Sequence, residues 1–222
     1  VAGRAARDGL WSQELWSDIC AELHQHLRHQ SPRNISLVLS ALARVGLRDA
    51  ALLDHVADSL TAAWLRGFNV QDLSLTVGSY ARLAHRSASV FRLCAEELLW
   101  KLPDAEAREI AAVACAWARV RAYDAPLFRH LSALTLRGLE GFEPRHLASA
   151  LHAFARLGAL TPELFLALAG RLRAPEVSGR LSAIAVSQAC AALGRARQTA
   201  AVQGAARGLL QALARRLLVL GS

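Results

Sequence analysis

Arginines recur along this chain at a nearly constant spacing, and their side chains are suited to binding phosphate groups. A guanidinium group is permanently charged, and its planar fork can donate two parallel hydrogen bonds to one phosphate. The intervals are 38, 37, 37 and 39 residues, between Arg44, Arg82, Arg119, Arg156 and Arg195. Cations at a fixed pitch predict a track for a polyphosphate backbone.

The composition indicates a folded protein with an acidic partner. Of the 222 residues 54% are apolar, with 14 Gly and 6 Pro, which excludes collagen-like and low-complexity proteins and argues against disorder. Lys and Arg number 26 against 18 Asp and Glu, a formal net charge of +8. This balance favours nucleic acid as the partner. The longest apolar stretches, such as residues 110–118, fall far short of the roughly 20 residues that a membrane-spanning helix needs, so no membrane insertion is expected.

The arginine spacing is the period of a helical repeat. Numbered from its arginine as position 0, each unit has mainly apolar residues at −9, −6, −5, −2 and +1, one face of a helix that we call helix A. In the third unit the cap is expected at Pro103–Asp104, two residues earlier than in the other units. The other caps, at −13, are Ser31, Asn69, Glu143 and Ser182.

A second amphipathic run, helix B, follows helix A after a short turn. Gly46 and Gly158 stand where the end of a helix favours a left-handed residue. The N-caps expected for helix B are Asp49, Ser87, Asp124 and Thr161. The sequence therefore predicts an all-α fold, an α-solenoid of helix-turn-helix repeats with a period of 37–39 residues.

Three segments are expected along the chain. Residues 1–30 hold a lone N-terminal helix, the remnant of a preceding repeat, residues 31–180 form four helical hairpins, and residues 181–222 form a degenerate C-terminal capping repeat. The sequence contains no Met, so a removed leader or a fragment of a longer chain is expected.

One face of helix A carries the candidate binding residues. Positions −11, −7, −4 and 0 lie opposite the apolar face, and they carry eight arginines and no acid. Small residues at −8 and −1 form a further strip, along which neighbouring A helices are expected to pack. The predicted RNA-binding residues are Arg33, Arg44, Gln71, Arg82, Arg108, Arg119, Arg145, His152, Arg156 and Arg195.

A structural role for these arginines is the competing interpretation. An arginine at the end of a helix complements the helix dipole and can bond the last carbonyl groups, which would account for position 0. It does not account for arginines at −11, near the start of the helix. A scaffold that binds an acidic peptide or helix is the alternative function.

Other kinds of chemistry find little support. Cys20, Cys94, Cys115 and Cys190 lack zinc or redox spacing and are expected to be free thiols. The sequence has no nucleophile elbow, no HExxH and no glycine-rich phosphate loop, so neither enzyme activity, a cofactor nor a metal is expected. The three histidines between residues 24 and 29 are expected to form a surface patch. Among the tryptophans, Trp100 and Trp117 are expected to pack in the core, and Trp11 and Trp16 to be partly uncovered.

The repeats resemble the octotricopeptide repeats of green-algal organelle proteins and the heptatricopeptide repeats of apicomplexan mitochondrial proteins. They are also similar to the helical repeats of the FASTK-like, RAP-containing family. The resemblance covers about two thirds of the chain, from Ser31 to Arg173, and is carried by helix-A sequences such as residues 143–158, EPRHLASALHAFARLG. It implies an organellar RNA-binding protein, mitochondrial or alternatively plastid, acting on single-stranded or ribosomal RNA beside other proteins. A subunit of a divergent mitochondrial ribosome is one such role. The sequence lacks the RAP-type domain, so that domain's activity is not expected.

Overall fold

The structure, a computed structural model, describes residues 12–195 and 200–221. Every regular element in these residues is helical, and no strand occurs among them. Pairs of helices joined by short turns follow one another, which confirms the predicted all-α repeat fold. In this part of the chain no helix combines the length and apolar character needed to cross a membrane.

The chain divides into two compact units, residues 1–103 and residues 104–222. In unit 1 the helices are α1 (Gln13–His26), α2 (Pro32–Val45), α3 (Ala50–Ser59), α4 (Ala62–Leu65), α5 (Val70–Arg82) and α6 (Ala88–Lys101). In unit 2 they are α7 (Ala107–Val120), α8 (Ala125–Arg137), α9 (Pro144–Arg156), α10 (Pro162–Arg173), α11 (Pro175–Ser178), α12 (Ala183–Leu193) and α13 (Ala200–Leu220). Short 3-10 turns occupy Leu27–His29, Leu102–Asp104 and Leu139–Gly141. The predicted division at 30/31 and 180/181 stays a prediction.

Helix A begins at the same position in every repeat. The expectation for the third repeat was wrong, because Pro103 and Asp104 lie in a 3-10 turn and Glu106 is the N-cap residue of the helix. The Glu106 backbone N–H donates to the Glu109 carboxylate at 2.9 Å, which satisfies a free donor at the start of α7. The five N-cap residues, all at −13, are Ser31, Asn69, Glu106, Glu143 and Ser182.

The turn after helix A has the same backbone geometry in four repeats. Gly46 and Gly158 adopt the expected left-handed conformation, with φ of 75° and 70°. Ala84 and Arg121 occupy the same repeat position, +2, and are also left-handed, with φ of 52° and 56°. For a residue with a Cβ this conformation is unfavourable by about 1 kcal/mol. Helix B then starts at the four predicted caps, whose side chains each accept a backbone N–H: Asp49, Ser87, Asp124 and Thr161.

The apolar face of helix A forms the core of each unit. Positions −9 and −2 are buried in all five repeats, as predicted. In unit 1 the Tyr80 hydroxyl donates to the Leu53 carbonyl at 2.6 Å, and in unit 2 the Phe128 and Phe154 rings meet edge to face at 5.4 Å. Helices A and B therefore pack through the side chains that the repeat pattern identifies.

The A helices of each unit lie side by side. In unit 1 α2 packs against α5, and in unit 2 α9 packs between α7 and α12. The small residues at −8 are buried in the first four repeats, as the predicted packing strip requires, whereas Ser187 in α12 is exposed. The Ser36 hydroxyl donates to the Asp72 carboxylate of α5 at 2.9 Å, so the strip also carries a polar contact in unit 1.

Two of the expectations for tryptophan were wrong. Trp16 is buried because it shares one face of α1 with Cys20 and Leu23, and α1 packs against α3. Trp100 is 84% exposed, because it lies two residues past the last buried residue of α6, Leu98. Trp117 is buried as expected, and Trp11 lies outside the described residues.

Candidate nucleic-acid interface

Within each compact unit, the A helices place the predicted binding residues, apart from His152 at position −4, in two rows. One row lies near the helix starts and the other at the helix ends, and eleven residues of α-helix separate the rows by about 16 Å. The eight arginines are exposed, while Gln71 and His152 are half-buried. We call Arg33, Arg108 and Arg145 the N-terminal arginines, and Arg44, Arg82, Arg119, Arg156 and Arg195 the repeat arginines.

Each N-terminal arginine lies beside a carboxylate. These ion pairs reduce the local positive potential, so the N-terminal arginines attract a phosphate less than unpaired arginines would. The pairs are Arg33 Nη1 with Asp72 Oδ1 at 3.4 Å, Arg108 Nε with Glu106 Oε2 at 2.9 Å, and Arg145 Nε with Glu143 Oε2 at 3.0 Å.

The Arg33 pair has a structural basis. Asp72 is 3% exposed, and burying a carboxylate is unfavourable unless charged or hydrogen-bonding groups surround it. Besides Arg33, its oxygens accept hydrogen bonds from the Ser36 hydroxyl at 2.9 Å and the Asn69 backbone N–H at 3.4 Å. Arg33 therefore links α2 to α5 in unit 1.

The repeat arginines present a different environment. Within the described residues no carboxylate forms an ion pair with Arg44, Arg119, Arg156 or Arg195. Arg195 Nη1 donates to the Ala191 carbonyl at 2.8 Å, which is the helix-end contact of the structural interpretation. A guanidinium has five N–H donors, so this single bond leaves Arg195 able to bind an anion as well.

In unit 2 the helix ends enclose a polar pocket. Its volume is about 520 Å³, and it lies where the C-terminal ends of α7, α9 and α12 meet. The lining residues are Arg121, Tyr123, Arg156, Leu157 and Arg195. We call this the arginine pocket; it brings two of the predicted residues, Arg156 and Arg195, together with a third guanidinium group.

Sequence reasoning missed Arg121 and Tyr123. The signal was an arginine at the position where two other repeats have Gly46 and Gly158. Because glycine is the residue best suited to a left-handed turn, its replacement by arginine was the anomaly to notice. Tyr123 gave a weaker signal, as an aromatic residue within a short turn.

The two histidines of α9, His146 and His152, add little positive charge at neutral pH. Burial, together with the nearby Arg195 and Arg156, lowers the pKa of His152, so its imidazole is uncharged at neutral pH. His146 likewise has its pKa lowered by burial and by Arg145. The proximity of His152 to two repeat arginines shows that positive potential is concentrated at the C-terminal end of α9.

The cysteines are unsuited to nucleophilic or metal chemistry. Burial raises the thiol pKa of Cys20 to about 11 and of Cys94 to about 12, so both remain protonated, and all four cysteines are free. Cys115, at position −4 on the face of α7 that carries Arg108 and Arg119, donates to the Ser149 carbonyl at 3.6 Å. In the described part of the chain no group of three or more His, Cys, Asp or Glu side chains is placed to hold a metal ion.

Comparison with known proteins gives one family match. No curated protein matches the chain. A family model described as RNA-editing substrate-binding complex 6 protein matches residues 6–196, which include every candidate arginine on the A helices and the arginine pocket. The match supports the RNA association and the helical architecture that the repeat resemblance implied, at the level of an RNA-associated helical family. The chain therefore belongs to the RNA-editing substrate-binding complex 6 protein family.

Proposed function

We propose that this protein is a non-catalytic RNA-binding subunit of an organellar RNA–protein complex. It binds RNA through the exposed C-terminal ends of its A helices. The observation that carries this proposal is the contrast in pairing, since carboxylates neutralise the N-terminal arginines but no described carboxylate pairs with Arg44, Arg119, Arg156 or Arg195. Unpaired, exposed guanidinium groups are the ones available to a phosphate.

The binding mode follows from the arrangement of the helices. Packed helices lie about 8–10 Å apart, so consecutive repeat arginines within a unit are offered at roughly that interval. A flexible single strand can place phosphates at such intervals, and each contact releases condensed counterions. Affinity for RNA would therefore depend strongly on salt and weakly on base sequence.

The setting that we propose is the mitochondrion, with a plastid as the alternative. Membership of a family named after an RNA-editing complex supports this setting, because that complex belongs to kinetoplastid mitochondria. An RNA-editing complex is accordingly favoured over a mitochondrial ribosome as the assembly. A closer relationship with octotricopeptide or heptatricopeptide repeats is part of the same proposal.

A protein-binding role is a second candidate that exposed apolar side chains support. Large apolar side chains lie exposed close together near the end of α13, with Leu217 48%, Leu218 77% and Leu220 41% exposed. Large apolar side chains in such positions often mark contacts with other proteins. These contacts would hold the subunit among the other proteins of its complex.

Salt-dependent binding tests the RNA proposal. Fluorescence anisotropy with a labelled single-stranded RNA should give a log–log salt slope of roughly −2 to −3.5, at about −0.7 for each of three to five phosphate contacts. Arg119→Gln should reduce the magnitude of that slope by about 0.7. The matched control is Arg180→Gln, because Arg180 is exposed but lies before α12, away from the repeat arginines. No detectable binding at low salt, or equal responses of the two variants, would overturn the proposal.

A further inference from the structure

Arg156 and Arg195 differ from the other repeat arginines because they line a concave pocket. Its volume of about 520 Å³ falls in the range of small-ligand sites. Arg121, Arg156 and Arg195 supply three positive charges, and none of them forms an ion pair with an acid of the described residues. The pocket therefore has the size and the charge to hold an anionic group together with a flat organic moiety.

The backbone at Arg121 points to a role beyond folding. Its φ of 56° is left-handed, a conformation that glycine adopts in two other repeats, at Gly46 and Gly158. Arg121 is exposed, so no packing contact requires a long side chain there. Strained backbone conformations are concentrated at functional sites, and Arg121, unlike Ala84 in the same conformation, carries a charged side chain that lines the pocket.

Tyr123 supplies an aromatic surface at the same pocket. Its side chain is 56% exposed, and its ring centroid lies 5.8 Å from that of Phe128. The Phe128 contact holds the tyrosine ring on one side while leaving more than half of the residue accessible. Nucleic-acid bases stack on aromatic side chains placed in this way beside basic groups.

We infer that the arginine pocket binds a single nucleotide of an RNA strand, with its phosphate held by Arg121, Arg156 and Arg195 and its base stacked on Tyr123. This inference rests on the proposed RNA-binding function and adds a position at which one nucleotide is fixed. Arg119, the repeat arginine of unit 2 that lies outside the pocket, would hold another phosphate of the same strand. The nucleotide can be internal or terminal in the strand, since both offer a phosphate and a base.

Two substitutions remove the Arg121 guanidinium group and the Tyr123 ring from the pocket without disturbing the repeat. Arg121→Gly restores the residue found at the equivalent position of two other repeats, and Tyr123→Leu introduces the residue found at the equivalent Leu160. Ala84→Gly is the matched control, because Ala84 shares the left-handed conformation but lies in unit 1, outside the pocket. Arg44→Gln reports on RNA binding outside the pocket.

The experiment measures thermal melting and the affinity for a short single-stranded RNA by fluorescence anisotropy. Arg121→Gly should raise the melting temperature by roughly 2 °C, because glycine relieves the left-handed strain, yet weaken RNA binding about tenfold. Tyr123→Leu should weaken binding roughly fivefold or more through loss of stacking. Ala84→Gly should raise the melting temperature similarly and leave affinity unchanged. A gain in stability with a loss of affinity separates a binding role from a structural one.

The oligonucleotide is used with a 5′-phosphate and with a 5′-hydroxyl to identify the nucleotide. A preference for the 5′-phosphate that disappears in Arg121→Gly supports binding of the terminal nucleotide, and equal affinities with the same loss in both support an internal one. If Arg121→Gly and Tyr123→Leu bind like the wild type while Arg44→Gln binds more weakly, the pocket inference is wrong and the RNA-binding function stands. If the wild type binds neither RNA, or binds an acidic peptide in preference, both proposals are wrong.

Discussion

The two ends of the A helices carry the same residue type in different surroundings. Arg108 and Arg145, at the starts of α7 and α9, each lie within 3.0 Å of a glutamate two residues earlier. Arg119 and Arg156, at the ends of the same helices, have no such carboxylate in the described part of the chain. The contrast follows the helix dipole, because acids are favoured near the start of a helix and cations near its end. An arginine's position in a helix therefore indicates whether it is available to a ligand.

The largest effect is expected when two repeat arginines are replaced together, in comparison with the two N-terminal arginines of the same helices. Arg119→Gln with Arg156→Gln should reduce the magnitude of the salt slope by about 1.4 and weaken RNA binding by at least about 100-fold at low salt. Arg108→Gln with Arg145→Gln removes the same charge from the other ends and should weaken binding less than tenfold. Anisotropy titrations at several salt concentrations measure both. Equal losses from the two double variants would remove the distinction between the helix ends.

A smaller effect is expected at the ion pair of Arg33 with the buried carboxylate of Asp72. Asp72→Asn should destabilise the protein by about 1–3 kcal/mol, because it weakens the charge-assisted bonds to Arg33 and Ser36 inside unit 1. The same change removes the negative charge beside Arg33, so RNA affinity should rise slightly at low salt. Denaturant unfolding and anisotropy provide the two measurements. Asp104→Asn, at an exposed acid, is the control.

The smallest expected effect concerns pH and the end of α9. Because the pKa of His152 is lowered in the folded protein, its contribution to stability is present above its ordinary pKa of about 6.5 and is lost as the pH falls below that value. A phosphate bound near Arg156 and Arg195 would offset their positive potential and raise the His152 pKa. RNA affinity should therefore increase a few-fold between pH 7 and about pH 5.5, and His152→Gln should abolish most of that increase. A pH profile that is unchanged in His152→Gln would show that His152 does not face the RNA.

The sequence predicted the repeat accurately because cap residues, apolar spacing and turn glycines all depend on local backbone geometry. Ser31 and Asn69 at −13, and Asp49 and Ser87 before helix B, serve as caps as expected. The state of each arginine depends on less regular contacts. Arg33 meets Asp72 from the next repeat, 39 residues away, and no single-helix pattern reveals that pair.

The arginine pocket could not be predicted from the sequence, for a similar reason. Position 0 stood out because an arginine occurs there in all five repeats, whereas Arg121 and Tyr123 lie in a turn, at positions where the residue type varies from repeat to repeat. Their relation to Arg156 and Arg195 depends on how α7, α9 and α12 pack. Residues that interrupt a repeat pattern can therefore line a pocket together with residues that conform to it.

The common left-handed turn after helix A has a consequence for how such a protein can be modified. Gly46, Ala84, Arg121 and Gly158 share one backbone conformation, so the chain leaves helix A along the same path in four repeats. A segment running from one N-cap to the next is thus a self-contained module. Duplicating the segment of 37 residues from Glu106 to Phe142 would insert one more helical hairpin and one more repeat arginine, equivalent to Arg119, without altering the junctions on either side. If the protein holds RNA as proposed, gene duplication would adjust the length of strand that is held, and variation at single sites would adjust which nucleotide is fixed.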